Sequence, residues 1–264
     1  MSFAILGKLS KILSMLSPFI VLAGIVVLQS QEYKKSVQKL NDADYLAQEQ
    51  EHVKRVDWQQ RTSHLDFDNL KANWTYLDFI QYFGNGNARE TIGYELVPEY
   101  FETITNIDPR FTSAYLNLSI ANSMYAGYPE KTIALMEEVL KSVDPKSEQA
   151  ALLWTSKGLD ELLFMGDKQA AIESYQMATK WQSLTETKQP NNLTIQDLEL
   201  ALKDTNAIDL KQAQIRAWST VLAYVKDIPR QREIMAKISH LKTELVVLEQ
   251  ADHPQPEITF SNSN

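Results

Sequence analysis

Ala114–Lys180 reads AYLNLSIANSMYAGYPEKTIALMEEVLKSVDPKSEQAALLWTSKGLDELLFMGDKQAAIESYQMATK, and its internal period decides the fold. Tyr115, Leu118, Ser119, Thr132, Met136 and Val139 recur as Trp154, Lys157, Gly158, Ala171, Tyr175 and Ala178, every pair 39 residues apart. A fixed step of this size marks stacked helix–turn–helix units, because one unit cannot bury its apolar face alone. Asp108-Pro109 and Asp144-Pro145 punctuate the run, and Gln189-Pro190 does so more loosely. Proline ends the preceding helix, lacking an N–H and clashing with the previous turn, and can open the next one. The first unit is then Thr112–Tyr125, a turn at Ala126-Gly127-Tyr128, and Pro129–Val143. The second is Glu148–Met165, a turn at Gly166-Asp167, and Lys168–Ser183.

Outward from this stretch the pattern weakens but persists. Trp74–Phe83 followed by Arg89–Ile107 makes a degenerate earlier unit, with Asn85-Gly86-Asn87 as its turn and Pro98 as a break within the second run. Ile195–Lys203 is a short insert helix. Leu210–Val225 and Arg230–Glu249 form a last pair. The face of Ile234, Ile238, Leu241, Leu245 and Leu248, with Arg230, Arg232, Lys237 and Lys242 outward, suits a terminal cap. Trp58, Phe67, Trp74, Tyr76, Phe79, Tyr82 and Phe83 come close together and are expected to build core.

Trp154, Gly158, Gly166, Ala171, Tyr175 and Ala178 resemble the tetratricopeptide repeat, whose pattern runs Trp, Leu-Gly, Tyr, Gly, Ala, aromatic, Ala, Pro. The likeness is strongest in Gln169–Lys180 and departs in three ways. The step is 39 and not 34 residues; Lys157 stands where the family has Leu; Thr132 and Val139 replace small alanines in the earlier unit. The resemblance implies an all-α solenoid of three to four antiparallel helix pairs. It also implies a partner groove lined by the first helix of each pair, which by register is Leu116, Ile120, Met124, Leu152, Thr155, Leu159, Leu162 and Leu163. That face is apolar, unlike the Lys, Arg and Asn lining with which some arrays clamp a C-terminal carboxylate. It is either filled by the chain itself, through Gln29–Thr62 or the last helix, or open to a partner's helix.

The N-terminal side carries a different signal. Ile12–Leu28 is nearly all apolar, with Lys8 and Lys11 before it and Glu32, Lys34 and Lys35 after it. An uncleaved single-pass membrane anchor is expected. A cleaved secretory signal is the rival, for which Val26-Val27-Leu28-Gln29-Ser30 offers a poor site. The lysine balance leaves the side of the membrane open. No glycine or proline interrupts Ile25–Phe83, so helix can continue as a solvated stalk or a docking helix through Gln29–Thr62. The expected organisation is an anchor at 1–30, a stalk at 31–65, a repeat domain at 66–250 and a disordered tail at 251–264, rich in proline and polar residues.

Composition narrows function. With 264 residues, 44% of them hydrophobic, a sizeable core is available. A net charge of −8 argues against nucleic acid, which demands a basic footprint. The chain has no cysteine, which removes disulfides, thiolate metal sites and cysteine nucleophiles. His52, His64, His240 and His253 are scattered, with His52 and His64 in polar surroundings that suggest solvation, and no ligand spacing links them. Glu137-Glu138 and Asp160-Glu161 are adjacent on helices and therefore diverge, unlike a hydrolase dyad. Neither catalytic residues nor a cofactor or metal is expected. Joined to an anchor, the array resembles translocon-associated repeat proteins of bacteria and repeat proteins that help assemble photosynthetic membrane complexes. The implied role is a scaffold, adaptor or assembly factor that binds protein partners; the alternatives are a constitutive structural subunit or a helical-array hydrolase.

Overall fold

The computed structural model describes residues 22–30, 40–62, 67–147, 149–185 and 195–252. It is all-helical, with no strand among the described residues. The helices are α1 (Asp42–Arg61), α2 (Asp68–Gly84), α3 (Gly86–Ile92), α4 (Val97–Ile107), α5 (Thr112–Tyr115), α6 (Pro129–Leu140), α7 (Ala150–Asp160), α8 (Lys168–Gln182), α9 (Ile195–Asp204), α10 (Ala207–Tyr224) and α11 (Ile228–Asp252). Two π-helical segments, Ser119–Tyr125 and Glu161–Met165, close the first helices of the two units related by the 39-residue step. Local chemistry sets the ends. Asn85, Asp167 and Asn206 each accept a bond from the backbone N–H three residues on. Pro98 and Pro129 occupy first-turn positions, so Pro98 starts α4 and does not break it; the break falls at Gly93.

The chain divides into two compact units, Met1–Tyr45 and Leu46–Asn264. In the first, residues 22–30 are helical, and Leu22, Ile25, Val26, Val27 and Leu28 are exposed. Asn41 and Asp44 cap each other reciprocally at the start of α1. Among the described residues no helix is long and apolar enough to cross a membrane. This corrects the expected single-pass anchor: the described part of the apolar run, helical over residues 22–30, is too short for a hydrocarbon core of about 30 Å. Residues 12–21 of the apolar run, and 253–264 of the expected tail, lie outside the described residues. Ala251 and Asp252 are helical.

In the second unit the 39-residue step orders the core. Phe79, Val97 and Tyr100 are buried; so are Leu118, Met136 and Val139, and so are Lys157, Tyr175 and Ala178, each set 39 residues beyond the last. α2 with α4, Thr112–Tyr125 with α6, and α7 with α8 are the three packed pairs, and α9 lies on α8. First helices lie beside one another: Asn117 donates to the Tyr76 hydroxyl at 2.6 Å, and Ser113 to Gln149 at 3.2 Å. Lys131 and Glu102 join two second helices at 3.3 Å.

Two further corrections concern the flanks of the repeats. The segment read as a stalk is part of the folded unit from Leu46: Val56 and Gln59 on α1 are buried, and Gln60 donates to Thr103 on α4 at 2.9 Å. The last helix pair does not extend the series. α10 packs on both π-helical segments. Phe164, Trp218, Val221, Val225, Ile234, Ile238 and Leu241 make a separate apolar cluster. The physical reason is the supply of orphan carbonyls at the end of a helix: Gln214 donates to Leu162 O and Trp218 to Phe164 O, both at 3.3 Å.

Candidate partner-binding face

The outward face of the first helices carries several exposed apolar side chains. Phe67, the N-cap of α2, is 67% exposed, Leu70, Trp74 and Leu77 on α2 are 68%, 61% and 55% exposed, and Trp58 on α1 is 62% exposed. This overturns the expectation that the aromatic run builds core throughout: Tyr76, Phe79 and Tyr82 face inward, while Trp58, Phe67 and Trp74 face out. The reason lies in α2, which is apolar around most of its circumference, so periodicity alone cannot choose its buried side. Neighbouring elements choose it: Phe79 packs on Phe101 at 4.7 Å between ring centroids, and Tyr82 on Tyr100 at 5.4 Å.

The exposed positions obey the repeat. Trp74, Leu77 and Gln81 on α2 fall 39 residues before Ser113, Leu116 and Ile120, and these 39 before Leu152, Thr155 and Leu159. Ile120, Leu152 and Leu159 are exposed; Leu116 is half-buried against the main core. Thr155 is half-buried and donates to Ala151 O at 3.0 Å. The structure thus brings Leu116, Ile120, Leu152, Thr155 and Leu159 onto the face shared with Trp74 and Leu77. The same 39-residue step, run backwards, is the signal that would have added those two. Leu162 packs on the main core, and Met124 and Leu163 pack on the Trp218 cluster, so the α10–α11 hairpin covers that end.

Beneath the face runs a buried polar layer. Asp160 accepts from Ser119 at 2.7 Å and from Ser123 at 2.6 Å, joining two adjacent first helices. Burial pushes its carboxyl up to about 6, against the two serine bonds, which hold it down. Asn122 donates to the Thr132 hydroxyl, which also lies 2.8 Å from the Ser123 oxygen, and this explains a polar residue where the repeat pattern has alanine. Lys157, in place of the expected leucine, is buried and paired with Glu161; Glu137 lies 3.6 Å from its ammonium, and Ser174 donates to Glu161 at 2.6 Å.

A second polar cluster joins α1 to the body. The His52 ring and the Tyr100 hydroxyl are 2.9 Å apart, and the imidazole meets the Tyr82 ring edge-on at 5.2 Å. Arg89 binds Glu49 at 2.7 Å and stacks on Tyr82. His52 is therefore no solvated residue; burial first, then the Arg55 charge, lowers its basicity. His52 and Tyr100 are 48 residues apart, which is why local sequence gave no hint of the pair. Among the described residues no group of three or more His, Asp or Glu is placed to hold a metal ion. A cleft of about 230 Å³ lies between α6, α10 and α11, floored by Phe164, Trp218 and Ile234. Arg230 at its edge is committed to Gly127 O, Glu130 and Glu233.

No protein-family model matches the chain, and neither a curated protein nor a solved structure matches it.

Proposed function

We propose that this chain is a tetratricopeptide-like solenoid acting as an adaptor or scaffold, which holds an apolar helix of a partner protein on its row of first helices. One observation carries the reading: apolar side chains recur at the outward register of three consecutive first helices, in Trp74 and Leu77, Leu116 and Ile120, and Leu152 and Leu159. Contiguous exposed apolar surface of this kind marks interaction sites, and a helix laid in such a groove contributes anchors at matching spacing. Assembly or stabilisation of a protein complex is the role that follows. The reading requires neither cofactor nor nucleic acid, in keeping with the acidic charge.

Photo-crosslinking tests it. A photoreactive side chain at Ile120 or Leu159 in cells should give a discrete protein adduct, absent when the probe sits at Gln176 on α8. Leu152→Asp should abolish the adduct. Equal labelling from all three probe sites would sink the proposal. A second reading, a structural subunit with its groove permanently filled by its own chain, is favoured at one end only, where Met124 and Leu163 pack on the hairpin. It expects no adduct from Ile120 or Leu159 at all.

A further inference from the structure

We infer that the α2 stripe is a self-association surface, on which a second copy of this chain packs by an antiparallel α2–α2 contact across a two-fold axis. Phe67, the N-cap of α2, and Leu70, Trp74 and Leu77 follow one another at spacings of three, four and three residues, one apolar stripe along the helix. α2 has 17 residues, about 25 Å of helix, and Leu70, Trp74, Leu77 and Ile80 all lie within it.

The stripe is complementary to itself. An axis crossing α2 between Asn73 and Trp74 sets Phe67 opposite the second copy's Ile80, and Leu70 opposite its Leu77. Ile80 is exposed, as are the other three. Asn73, small and exposed, leaves room beside the axis for the Trp74 indole. A closed two-fold contact demands such a patch, because both copies present the same surface.

Charge and area favour a second copy over other occupants. The chain carries −8 overall, so two copies repel across most of their surfaces. The stripe is the exception: α2 carries Asp68, Lys71 and Asp78 alone, and Asp78 is engaged by Arg55 and Gln59 on α1. In the antiparallel register neither Asp68 nor Lys71 opposes a like charge. Phe67, Leu70, Trp74, Leu77 and Ile80 expose about 500 Å² at ~100 Å² each, toward the top of the range for a monomer's largest apolar patch. That is more than half of the ~800 Å² per partner of a standard stable interface. The dimer takes the α2 end of the row, Trp74 and Leu77, and leaves Ile120, Leu152 and Leu159 on the other two first helices for the partner proposed above.

The absence of cysteine makes the test direct. Full-length protein carrying Asn73→Cys should convert under mild oxidant to a disulfide-linked dimer, twice the 30.2 kDa chain. Ala134→Cys, exposed on α6, should not. Adding Leu70→Glu and Leu77→Glu to the Asn73→Cys chain should cut the dimer at least tenfold with unchanged helical circular dichroism, since both leucines are exposed. Sedimentation of the unaltered chain at tens of micromolar should give a dimer, and Ile120→Asp with Leu159→Asp should leave it a dimer. A monomer at that concentration overturns the inference, as does equal crosslinking from Ala134→Cys, a ladder of higher species, or a dimer indifferent to the two glutamates. A stripe that becomes protected only when a different protein is added also overturns it.

Discussion

Ser123 donates a 2.6 Å hydrogen bond to Asp160 across two adjacent first helices, and Ser119 binds the other carboxylate oxygen at 2.7 Å. The acid is buried and its folded pKa is raised from 3.8 to about 6. Between these values the folded chain holds a proton that the unfolded chain has lost. Stability from this group is thus full below pH 3.8, falls as pH rises, and is gone above about 6. The difference amounts to about 3 kcal/mol at most. Asp160→Asn should flatten that part of the profile. Urea unfolding of both proteins at pH 4.5 and 7.5 checks it; an identical drop in the variant would refute the assignment.

Lys157 and Glu161 form a buried pair, with Lys157 at the register that Leu118 occupies 39 residues earlier. Lys157→Leu alone should destabilise by about 3 kcal/mol, because it leaves a buried carboxylate without its cation. Adding Glu161→Gln should recover most of that loss, since the amide can still accept from Ser174. A double-mutant cycle by thermal unfolding reads the coupling. Additive losses would show that the pair is not the reason Lys157 is tolerated.

Gly127 has φ +81°, and a Cβ there would lie 2.7 Å from Val225 Cγ2 and 3.0 Å from Val221 Cγ1. Gly127→Ala should cost about 2–3 kcal/mol, combining left-handed strain with a clash against the α10–α11 hairpin. Gly84→Ala, at a position with open space around it, is the control and should be nearly silent. Comparable losses from both changes would mean that close approach of the hairpin is not the cause.

Ile120→Asp with Leu159→Asp should leave stability within about 0.5 kcal/mol of the parent, as surface changes do, while abolishing partner adducts from a photoreactive residue at Leu152. Unfolding and crosslinking measured on the same preparation separate the two effects. A marked loss of stability would identify these side chains as core and remove them from the face.

His52 adds an opposite pH dependence. Its folded pKa is lowered by burial, so the neutral ring is favoured; its contribution is complete above pH 6.5 and lost as pH falls below that. In His52→Gln the difference from the parent should narrow on acidification from pH 7.5, as followed by urea unfolding. A gap that is constant with pH would mean that protonation of this ring is not coupled to folding.

Much of the fold is legible in the sequence because helix formation is local. Proline, glycine and the side-chain caps Asn85, Asp167 and Asn206 set boundaries within a residue or two of their own position. The 39-residue step survives because each copy buries the same register. It is visible in Met136 and Tyr175 without any structure, and Val97 joins them once its burial is known. The candidate face was partly legible for the same reason: Ile120, Leu152 and Leu159 stand where the repeat directs them outward.

The sequence by itself determined the helices, their pairing in hairpins and the period that relates them, all of which depend on contacts near in the chain. Tertiary structure decided three things that no local pattern contains. It chose which side of α2 is buried, turning Trp74 and Leu77 outward, because an almost uniformly apolar helix takes its inner face from its neighbours. It folded α1 onto the body through His52, Val56 and Gln59. And it turned α10 back onto the π-helical ends, because Leu162 and Phe164 leave carbonyls there that Gln214 and Trp218, more than 50 residues away, can satisfy.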